Sequence, residues 1–226
     1  GWWDNIIILS DRNVSSNMAP IPSALACSHV HHGLKKKEKR SSVGIIIESA
    51  EPREPHHFAL LFGYGASAIN PYMVNEIIAK LSAEGEINIS FEEAILNFNK
   101  AIGKGIVKIM NKIGISTLHS YRGAQIFEAL GLNKKFVNKY FCNTTSRIEG
   151  IGIYEIEKEI QKRVSKAYTS SESLADLDLE IGGDYRWRRN GERHMFNPTT
   201  VAKLQQAVRT NKFDSYKEYS KMINEQ

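Results

Sequence analysis

The sequence predicts an α/β fold built around a partial parallel sheet. Short runs rich in β-branched residues alternate with segments whose apolar residues recur every three or four positions. The runs are continuous, which is typical of parallel strands buried on both faces. Polar residues such as Glu48 stand directly where the runs end. Because the chain has too few strands for a closed barrel, we expect half of a TIM-barrel-like or doubly wound sheet, with surrounding helices and a mostly helical C-terminal extension.

Four segments are predicted to be strands, and all are short and apolar. They are residues 5–9, 43–48, 66–70 and 115–119. Residues 43–72 are the most informative stretch, because a strand, a loop with Pro and His, an apolar helical run and a second strand follow one another there. Such units build parallel sheets, and ligands bind outside the carboxyl ends of their strands.

Helical patterns fill the segments between and after these strands. They cover residues 22–33, 58–62, 72–83, 90–114, 124–130, 134–141, 154–168, 198–210 and 215–224. Pro22 suits a first helical turn, and Ser90 with Glu93 forms a capping-box pattern. Gly103 and Gly105 are expected to kink or split the long helix that follows Ser90.

Composition and charge argue against a nucleic-acid-binding protein, a metal-binding cysteine protein and a membrane protein. The net charge of +5 comes largely from a basic run at residues 35–40, which a solvated connection explains better than a nucleic-acid surface. Cys27 and Cys142 lack metal-type spacing and are expected to be free thiols in a reducing compartment such as the cytoplasm. No apolar run approaches the ~18 residues of a membrane span. We therefore expect neither a nucleic-acid nor a membrane partner.

The two ends of the chain suggest how it is organised. Gly1 lies only a few residues before the first predicted strand, and no signal region precedes that strand, so we expect a part of a longer protein. From about Ser170 the sequence turns polar, and an aromatic and basic segment follows at residues 185–189. This change predicts a boundary between residues 1–170 and 171–226.

Polar residues that follow the predicted strands are expected to meet at one rim of the sheet. The predicted rim comprises Asp11, Arg12, Asn13, Glu48, Asn70 and Arg122. A carboxylate paired with a guanidinium would tie neighbouring strand ends together. The alternatives are a polar channel or interface lining and, least favoured, direct catalysis.

Other candidate sites are weaker. His29 and His32 share a helix face, and His56 and His57 begin the next helical run, but no zinc-protease pattern accompanies them. We expect these histidines to be hydrogen-bonded or packed. Residues 120–124 follow a predicted strand and precede a helix, where backbone amides could meet an anion. Residues 185–189 could form a single-stranded nucleic-acid platform, although packing on a neighbouring domain is favoured. No catalytic, cofactor-binding or metal residue is predicted.

Several long motifs resemble one family. They are LSDRN at 9–13, APIP at 19–22, GIIIESAEPREPHHFALLFGYGASAINPY at 44–72, GKGIVKIMNKIGISTLHSYRGAQIFEALGL at 103–132, SRIEGIG at 146–152 and YRWRRNGERHMFNPTTVAKLQQA at 185–207. Together they resemble the large subunit of glutamate synthase over essentially the whole chain.

The resemblance implies a fragment of a multidomain enzyme. Such enzymes combine a glutaminase domain, whose nucleophile is a first-residue cysteine, with a central domain, an FMN-binding barrel carrying an iron–sulfur cluster, and a β-helix domain. Residues 1–170 would belong to the central domain and residues 171–226 to the connection into the synthase domain. Ammonia released from L-glutamine passes through a tunnel to the flavin site, where 2-oxoglutarate becomes L-glutamate.

The resemblance also implies what this chain does within the enzyme. We expect a scaffold or tunnel-wall element that is inactive alone, holds no cofactor, and contacts the other domains. FMN and the cluster would belong to the parent enzyme, whose electron donor would be ferredoxin or a nicotinamide-dependent small subunit. The compartment would be cytoplasm or plastid stroma. The alternative is an independent ligand-binding or protein-interaction module of shared ancestry.

Overall fold

The structure is a computed structural model that describes residues 5–168 and 186–225. The chain divides into two compact units, Gly1–Thr169 and Ser170–Gln226. The first unit contains parallel strands with helices between them, and the described part of the second unit, residues 186–225, contains two helices. The predicted α/β class is therefore confirmed.

A three-stranded parallel sheet forms the centre of the first unit. Its strands are β1 (Ile6–Ser10), β2 (Gly44–Glu48) and β3 (Ala68–Asn70), in that spatial order. The register aligns Ser10 with Glu48, and Glu48 with Asn70. Three of the four predicted strands are thus confirmed, and the carboxyl ends of all three lie side by side.

The two faces of this sheet differ. On one face Ile45 and Ile47 are fully buried, and they form a core cluster with Cys27. Cys27 belongs to α1 (Ser23–Lys36), and α2 (Pro55–Gly63) contributes Leu61 to the same cluster. On the other face, which we call the open face, Ile6 and Ile8 are 62% and 61% exposed. The expectation that these strands are buried on both faces is wrong, because no described residue forms a layer over the open face.

Two helices follow the sheet, α3 (Tyr72–Ala83) and α4 (Phe91–Ile113). Ser90 caps α4 by accepting a hydrogen bond from the backbone N–H of Glu93, and Gly114 ends it in the left-handed conformation at φ 79°. Contrary to expectation, Gly103 and Gly105 do not split α4. At Gly105 the missing side chain lets the helix lie against Pro55, at the start of α2.

The predicted strand at residues 115–119 is wrong. Residues 115–117 are irregular and lead into a short helix, α5 (Leu118–Tyr121). Thr117 caps this helix by accepting from the backbone N–H of Ser120. Ile115 and Leu118 pack around the buried Tyr121 rather than in a sheet. A local cap and this small core therefore override the apolar strand pattern.

A second, two-stranded parallel sheet replaces the helix predicted at residues 124–130. It consists of β4 (Glu128–Leu132) and β5 (Thr145–Ile151), with α6 (Lys134–Tyr140) between them and α7 (Ile153–Ala167) after them. Both strands were missed because their pairing is irregular, with two register shifts. A Cβ atom at Gly150 would collide with the backbone of Gly131. The close approach of β4 and β5 therefore depends on glycines, which do not indicate strands in the sequence.

The second unit contains α8 (Pro198–Thr210) and α9 (Phe213–Asn224), which confirms the predicted C-terminal helices. Asn197 caps α8 by accepting from the backbone N–H groups of Thr199 and Thr200. The polar segment at 170–178 and Tyr185 lie outside the described residues, and residues 186–189 form a bend and a turn. None of the described helices combines the length and the apolar composition needed to span a bilayer.

The two glycines of α4 provide a matched test of this packing. We expect Gly105→Ala to lower the free energy of unfolding by about 1–3 kcal/mol, because the new Cβ would lie 2.6 Å from Cβ of Pro55. Gly103→Ala meets nothing within 4 Å and should raise this free energy by about 0.5–1 kcal/mol. Urea unfolding of both variants measures the difference, and equal effects would contradict the close packing of α4 against α2.

Candidate functional site

The carboxyl ends of β1, β2 and β3 bring together a set of polar side chains that we call the carboxyl-edge network. It consists of Ser10, Asp11, Arg12, Glu48, Ser49 and Asn70. Four of these residues, all but the two serines, belong to the predicted rim. The parallel register explains the convergence, since Ser10, Glu48 and Asn70 are the aligned last residues of their strands.

Glu48 is the centre of this network. One carboxylate oxygen accepts from Arg12 Nε at 2.9 Å and from Asn70 Nδ2 at 3.2 Å. The other oxygen accepts from Ser10 Oγ at 2.7 Å. These interactions connect the central strand with both neighbours, so the expected carboxylate–guanidinium tie between strand ends is present. They also leave Glu48 without the unpaired oxygen that a general base would present.

Arg12 is held from several sides. Its guanidinium carbon lies 4.1 Å from the centre of the Tyr72 ring, a cation–π contact. Its Nη1 atom is 3.6 Å from a carboxylate oxygen of Glu76, which is a longer and more exposed contact. Tyr72 and Glu76 both come from α3. Arg12 therefore joins the end of β1 to β2 and to the first turns of α3.

Asp11 fixes the loop that follows β2. Its carboxylate accepts from Ser49 Oγ at 2.6 Å and from the backbone N–H of Ala50 at 3.1 and 3.2 Å. The backbone N–H of Asp11 donates to the Glu48 carbonyl at 3.2 Å, which extends the strand pairing by one residue. Asp11 is therefore a loop-fixing residue whose oxygens are occupied.

Asn13 lies beside the network and does not bond to it. It lines a cavity of about 380 Å³ beneath the loop after β1, and Asp11 and Glu48 line the same cavity. Apolar walls come from Leu9, Met18 and Ile47. The cavity thus combines an apolar floor with the polar carboxyl edge.

Arg122 does not belong to this site. It follows α5 instead of a strand, and its Nη1 atom donates to Ser67 Oγ at 3.3 Å. Ser67 precedes β3 and its backbone N–H pairs with Ile45, the second residue of β2. Arg122 therefore lies at the amino end of the sheet. Its predicted place with the other rim residues is wrong because it depended on the strand at 115–119.

The network shifts two ionisation equilibria. Hydrogen bonds from Arg12 and then Ser10 lower the pKa of Glu48 below its ordinary value, against a smaller opposing effect of burial. Burial, followed by the hydrogen bond to Asp11, raises the pKa of Tyr72 to about 12. At neutral pH Glu48 is thus an anion and Tyr72 a neutral phenol, which is the combination that holds Arg12 between them.

The candidate histidines play structural roles. His57 caps α2, because its Nδ1 atom accepts from the backbone N–H groups of Arg53 at 3.1 Å and Glu54 at 3.3 Å. His29 packs against the ring of Tyr140 at 5.5 Å. Within residues 5–168 and 186–225, no three His, Cys, Asp or Glu side chains are grouped closely enough to hold a metal ion.

Sequence reasoning missed three contributors to the site. Ser10 and Ser49 supply hydroxyl donors, and the signal for Ser10 was its place as the last residue of β1, opposite Glu48. Glu51 was also missed; its carboxylate accepts from the backbone N–H of Ser23 at 2.8 Å and from its hydroxyl at 2.6 Å. This contact supplies the N-terminal cap that Pro22 cannot give to α1.

Comparison with known proteins identifies relatives over most of the chain. The family model described as "Glutamate synthase central domain" matches residues 3–133. The chain is 45% identical over 222 residues to a protein of Bacillus subtilis named "Glutamate synthase [NADPH] large chain", covering 98% of this chain and 14% of that protein. It is 43% identical to "Glutamate synthase [NADH]" of Schizosaccharomyces pombe, covering 97% of this chain and 10% of that protein.

A third type of relative carries a different electron-donor name. "Ferredoxin-dependent glutamate synthase" of Pyropia yezoensis is 39% identical over 232 residues, covering 97% of this chain and 15% of that protein. The chain therefore spans only about one-tenth to one-seventh of the length of these relatives.

The ion pair in the network predicts a pH-dependent contribution to stability. Because the folded pKa of Glu48 lies below its ordinary value of 4.5, its contribution is present above that value and is lost as the pH falls through the folded pKa. We expect Glu48→Gln to lower the melting temperature at about pH 7 and to lose this effect as the pH falls below the folded pKa of Glu48, where wild-type Glu48 is itself protonated.

Circular dichroism melts of both proteins across this pH range measure the effect. Glu76→Gln is the matched control, since Glu76 makes only the longer 3.6 Å contact with Arg12, and it should change the melting temperature little. A Glu48→Gln deficit that is independent of pH would contradict the assignment to the ion pair.

Proposed function

Since the chain belongs to the glutamate synthase central domain family, we propose that it is an internal scaffold and tunnel-wall element of a glutamate synthase. The parent enzyme would make L-glutamate from L-glutamine and 2-oxoglutarate, by ammonia tunnelling and flavin-dependent reductive amination. Residues 1–170 would form the C-terminal part of the central domain, and residues 171–226 would connect it to the FMN-binding synthase domain.

The observation that carries this proposal is the open face of the sheet. Parallel sheets are normally covered on both faces, yet Ile6 and Ile8 are more than half exposed while Ile45 and Ile47 on the opposite face are buried. An apolar sheet face of this kind is characteristic of a surface that another part of a larger protein covers. We assign it to the inner face of a partial barrel that meets the other domains.

The carboxyl-edge network borders the same face. Ser10, Glu48 and Asn70 alternate with the buried residues of their strands and so point to the side of Ile6 and Ile8. A small polar molecule that passes along this surface would find hydrogen-bonding partners at the polar edge. The apolar face beside it would form a wall of the passage. We place Asp11, Arg12, Asn13, Glu48 and Asn70 on the surface turned towards the tunnel or the synthase domain.

The cofactors of the parent enzyme would lie elsewhere. Four cysteine thiolates usually hold an iron–sulfur cluster, or two cysteines with two histidines in Rieske centres. This chain has two cysteines in all, and no described group of three ligating side chains includes either of them. Of these, Cys27 is completely buried in the first core cluster, where burial raises its pKa to about 12. The residues present therefore do not fit the cluster. We place FMN, the cluster and the glutaminase nucleophile in the other domains.

The remaining partners follow from the same assignment. The glutaminase and synthase domains would contact this chain directly, and ferredoxin or a nicotinamide-dependent small subunit would reduce the parent enzyme. Cytoplasm or plastid stroma would be the compartment, and we expect neither a nucleic-acid nor a membrane partner.

A matched pair of substitutions tests the open face. Ile8 and Val107 are 61% and 64% exposed, the first on the open face and the second on α4. In the isolated chain, Ile8→Arg and Val107→Arg should each change the free energy of unfolding by no more than about 0.5 kcal/mol. In the parent enzyme, we expect Ile8→Arg to lower the glutamate formed per glutamine hydrolysed and to release ammonia, because a charge would separate the domains.

The readout is the stoichiometry of glutamate and free ammonia during glutamine-dependent turnover. Val107→Arg should leave this ratio unchanged. Unchanged coupling in Ile8→Arg, or an equal loss in both variants, would contradict the proposed interdomain role of the open face.

The purified chain provides a second test. We expect no saturable quenching of FMN fluorescence on titration with the chain and no release of ammonia from L-glutamine, because the described residues lack a catalytic set. Saturable FMN binding or glutamine hydrolysis would overturn the scaffold proposal.

A further inference from the structure

A second polar cleft lies at the amino edge of the sheet, opposite the carboxyl-edge network. Its volume is about 730 Å³, and it lies between the end of α1, the start of β2 and the segment after α5. The residues that matter for its chemistry are His31, Lys35, Glu38, Arg40, Ser67 and Arg122, all of which line it. Three of the six are permanent cations at neutral pH.

Arg40 is fixed in this cleft by neutral acceptors. Its Nε atom donates to His31 Nδ1 at 2.8 Å, and its two terminal nitrogens donate to the carbonyls of Val43 at 2.5 Å and Gly65 at 2.6 Å. Gly65 is required for this approach, because its φ is +111° and a Cβ atom there would collide with His31. The guanidinium is therefore oriented firmly while its charge is left uncompensated.

His31 is neutral in this arrangement. Burial and then the positive charge of Arg40 lower its pKa to about 4, and its Nδ1 atom must be unprotonated to accept from Arg40. The ring hydrogen is then on Nε2, a second donor at the wall of the cleft. Nitrogen donors of His31, Lys35, Arg40 and Arg122 consequently lie along the walls of the cleft.

Arg122 has unused hydrogen-bonding capacity. Its Nη1 atom donates to Ser67 Oγ at 3.3 Å, but its Nε atom is buried without a hydrogen-bond partner among the residues that the structure describes. Leaving a buried charged donor unpaired is costly, and this site adds repulsion, since burial and then Arg122 lower the pKa of Arg40. An anion between the two guanidinium groups would relieve this repulsion.

The charges of the cleft do not balance. Within residues 5–168 and 186–225, Lys35, Arg40 and Arg122 make no ion pair with a carboxylate. One carboxylate, Glu38, lines the cleft and reduces the three positive charges to a net excess of two. Arg12, at the other edge of the same sheet, differs in having two carboxylate neighbours.

We propose that the cleft between Arg40 and Arg122 binds a small divalent oxyanion, a phosphate group or a dicarboxylate. Guanidinium groups recognise both chemistries through paired N–H donors. Arg40 would supply the fixed positive charge, Arg122 the unused N–H groups, and Lys35 an outer electrostatic contact. This site is separate from the carboxyl-edge network and from the open face.

Calorimetric titration of the full chain tests the site, with inorganic phosphate and succinate as separate probes at matched ionic strength. We expect saturable binding of one ion per chain with at least one probe, and the preferred probe distinguishes a phosphate from a dicarboxylate site. Added NaCl should weaken binding through screening. Absence of saturable binding by both probes would overturn the proposal.

Three variants locate the binding. Arg122→Gln should reduce the affinity for the preferred probe by about tenfold or more. Lys35→Gln changes an exposed side chain and should reduce it by about two- to fivefold. Arg147→Gln is the control, because the Arg147 side chain is 76% exposed and, within the described part of the chain, pairs with Glu128 alone; this variant should bind like the wild type.

Two further outcomes decide the assignment. Wild-type affinity in Arg122→Gln, or an equal loss in Arg147→Gln, would show that binding does not occur at the amino-edge cleft. If Arg122→Gln fails to fold by circular dichroism, Lys35→Gln still tests the site, since the Lys35 side chain is exposed and makes no ion pair with a described carboxylate. Undiminished binding in Lys35→Gln would then count against the proposal.

Discussion

The central strand β2 is the constraint on which the first unit depends. Ile45 and Ile47 point into the core that α1 and α2 complete, while Ile46 and Glu48 point to the open face. Because side chains alternate along a strand, a slip of one residue would exchange the two sets and bring Glu48 into the core. The parallel pairing of β2 with both neighbours therefore fixes the hydrophobic core and the carboxyl-edge network together.

Charged side chains are compensated differently at the two edges of the sheet. At the carboxyl edge every charge has a partner, since Glu48 and Arg12 pair with each other and Asp11 accepts from Ser49 and Ala50. At the amino edge the cations accumulate. The end of α1 explains one of them, because Lys35 lies in its last turn, where the helix dipole favours positive charge. The dipole does not explain Arg40 or Arg122, which belong to other segments.

The sequence predicted well where local and long-range signals agree. The runs at β1, β2 and β3, and the caps Ser90 and Gly114 around α4, gave correct elements because the same residues that favour the local structure also fill the core. The helix predicted at residues 134–141 is confirmed as α6, whereas prediction failed at residues 115–130 and 145–151. There Thr117 starts a helix against an apolar strand pattern, and β4 and β5 pair through close glycine contacts that no periodicity reveals.

The rim was predictable to the extent that it depends on strand ends. Asp11, Arg12, Glu48 and Asn70 were placed correctly beside one another because parallel strands end at one edge. Arg122 was misplaced because its position rested on a strand that does not form. The openness of one sheet face was not predictable either, since the run Ile45–Ile46–Ile47 looks equally apolar on both sides, and only tertiary packing decides which side is covered.

Arg12 and Arg40 lie at opposite edges of one sheet and are held in different ways. Arg12 is held by a carboxylate and an aromatic ring, so its charge is compensated within the fold. Arg40 is held by two carbonyls and an imidazole, which orient the guanidinium and leave most of its charge in place. Orientation without neutralisation, next to a second arginine with a buried unpaired N–H, is the arrangement that a site for an external anion requires.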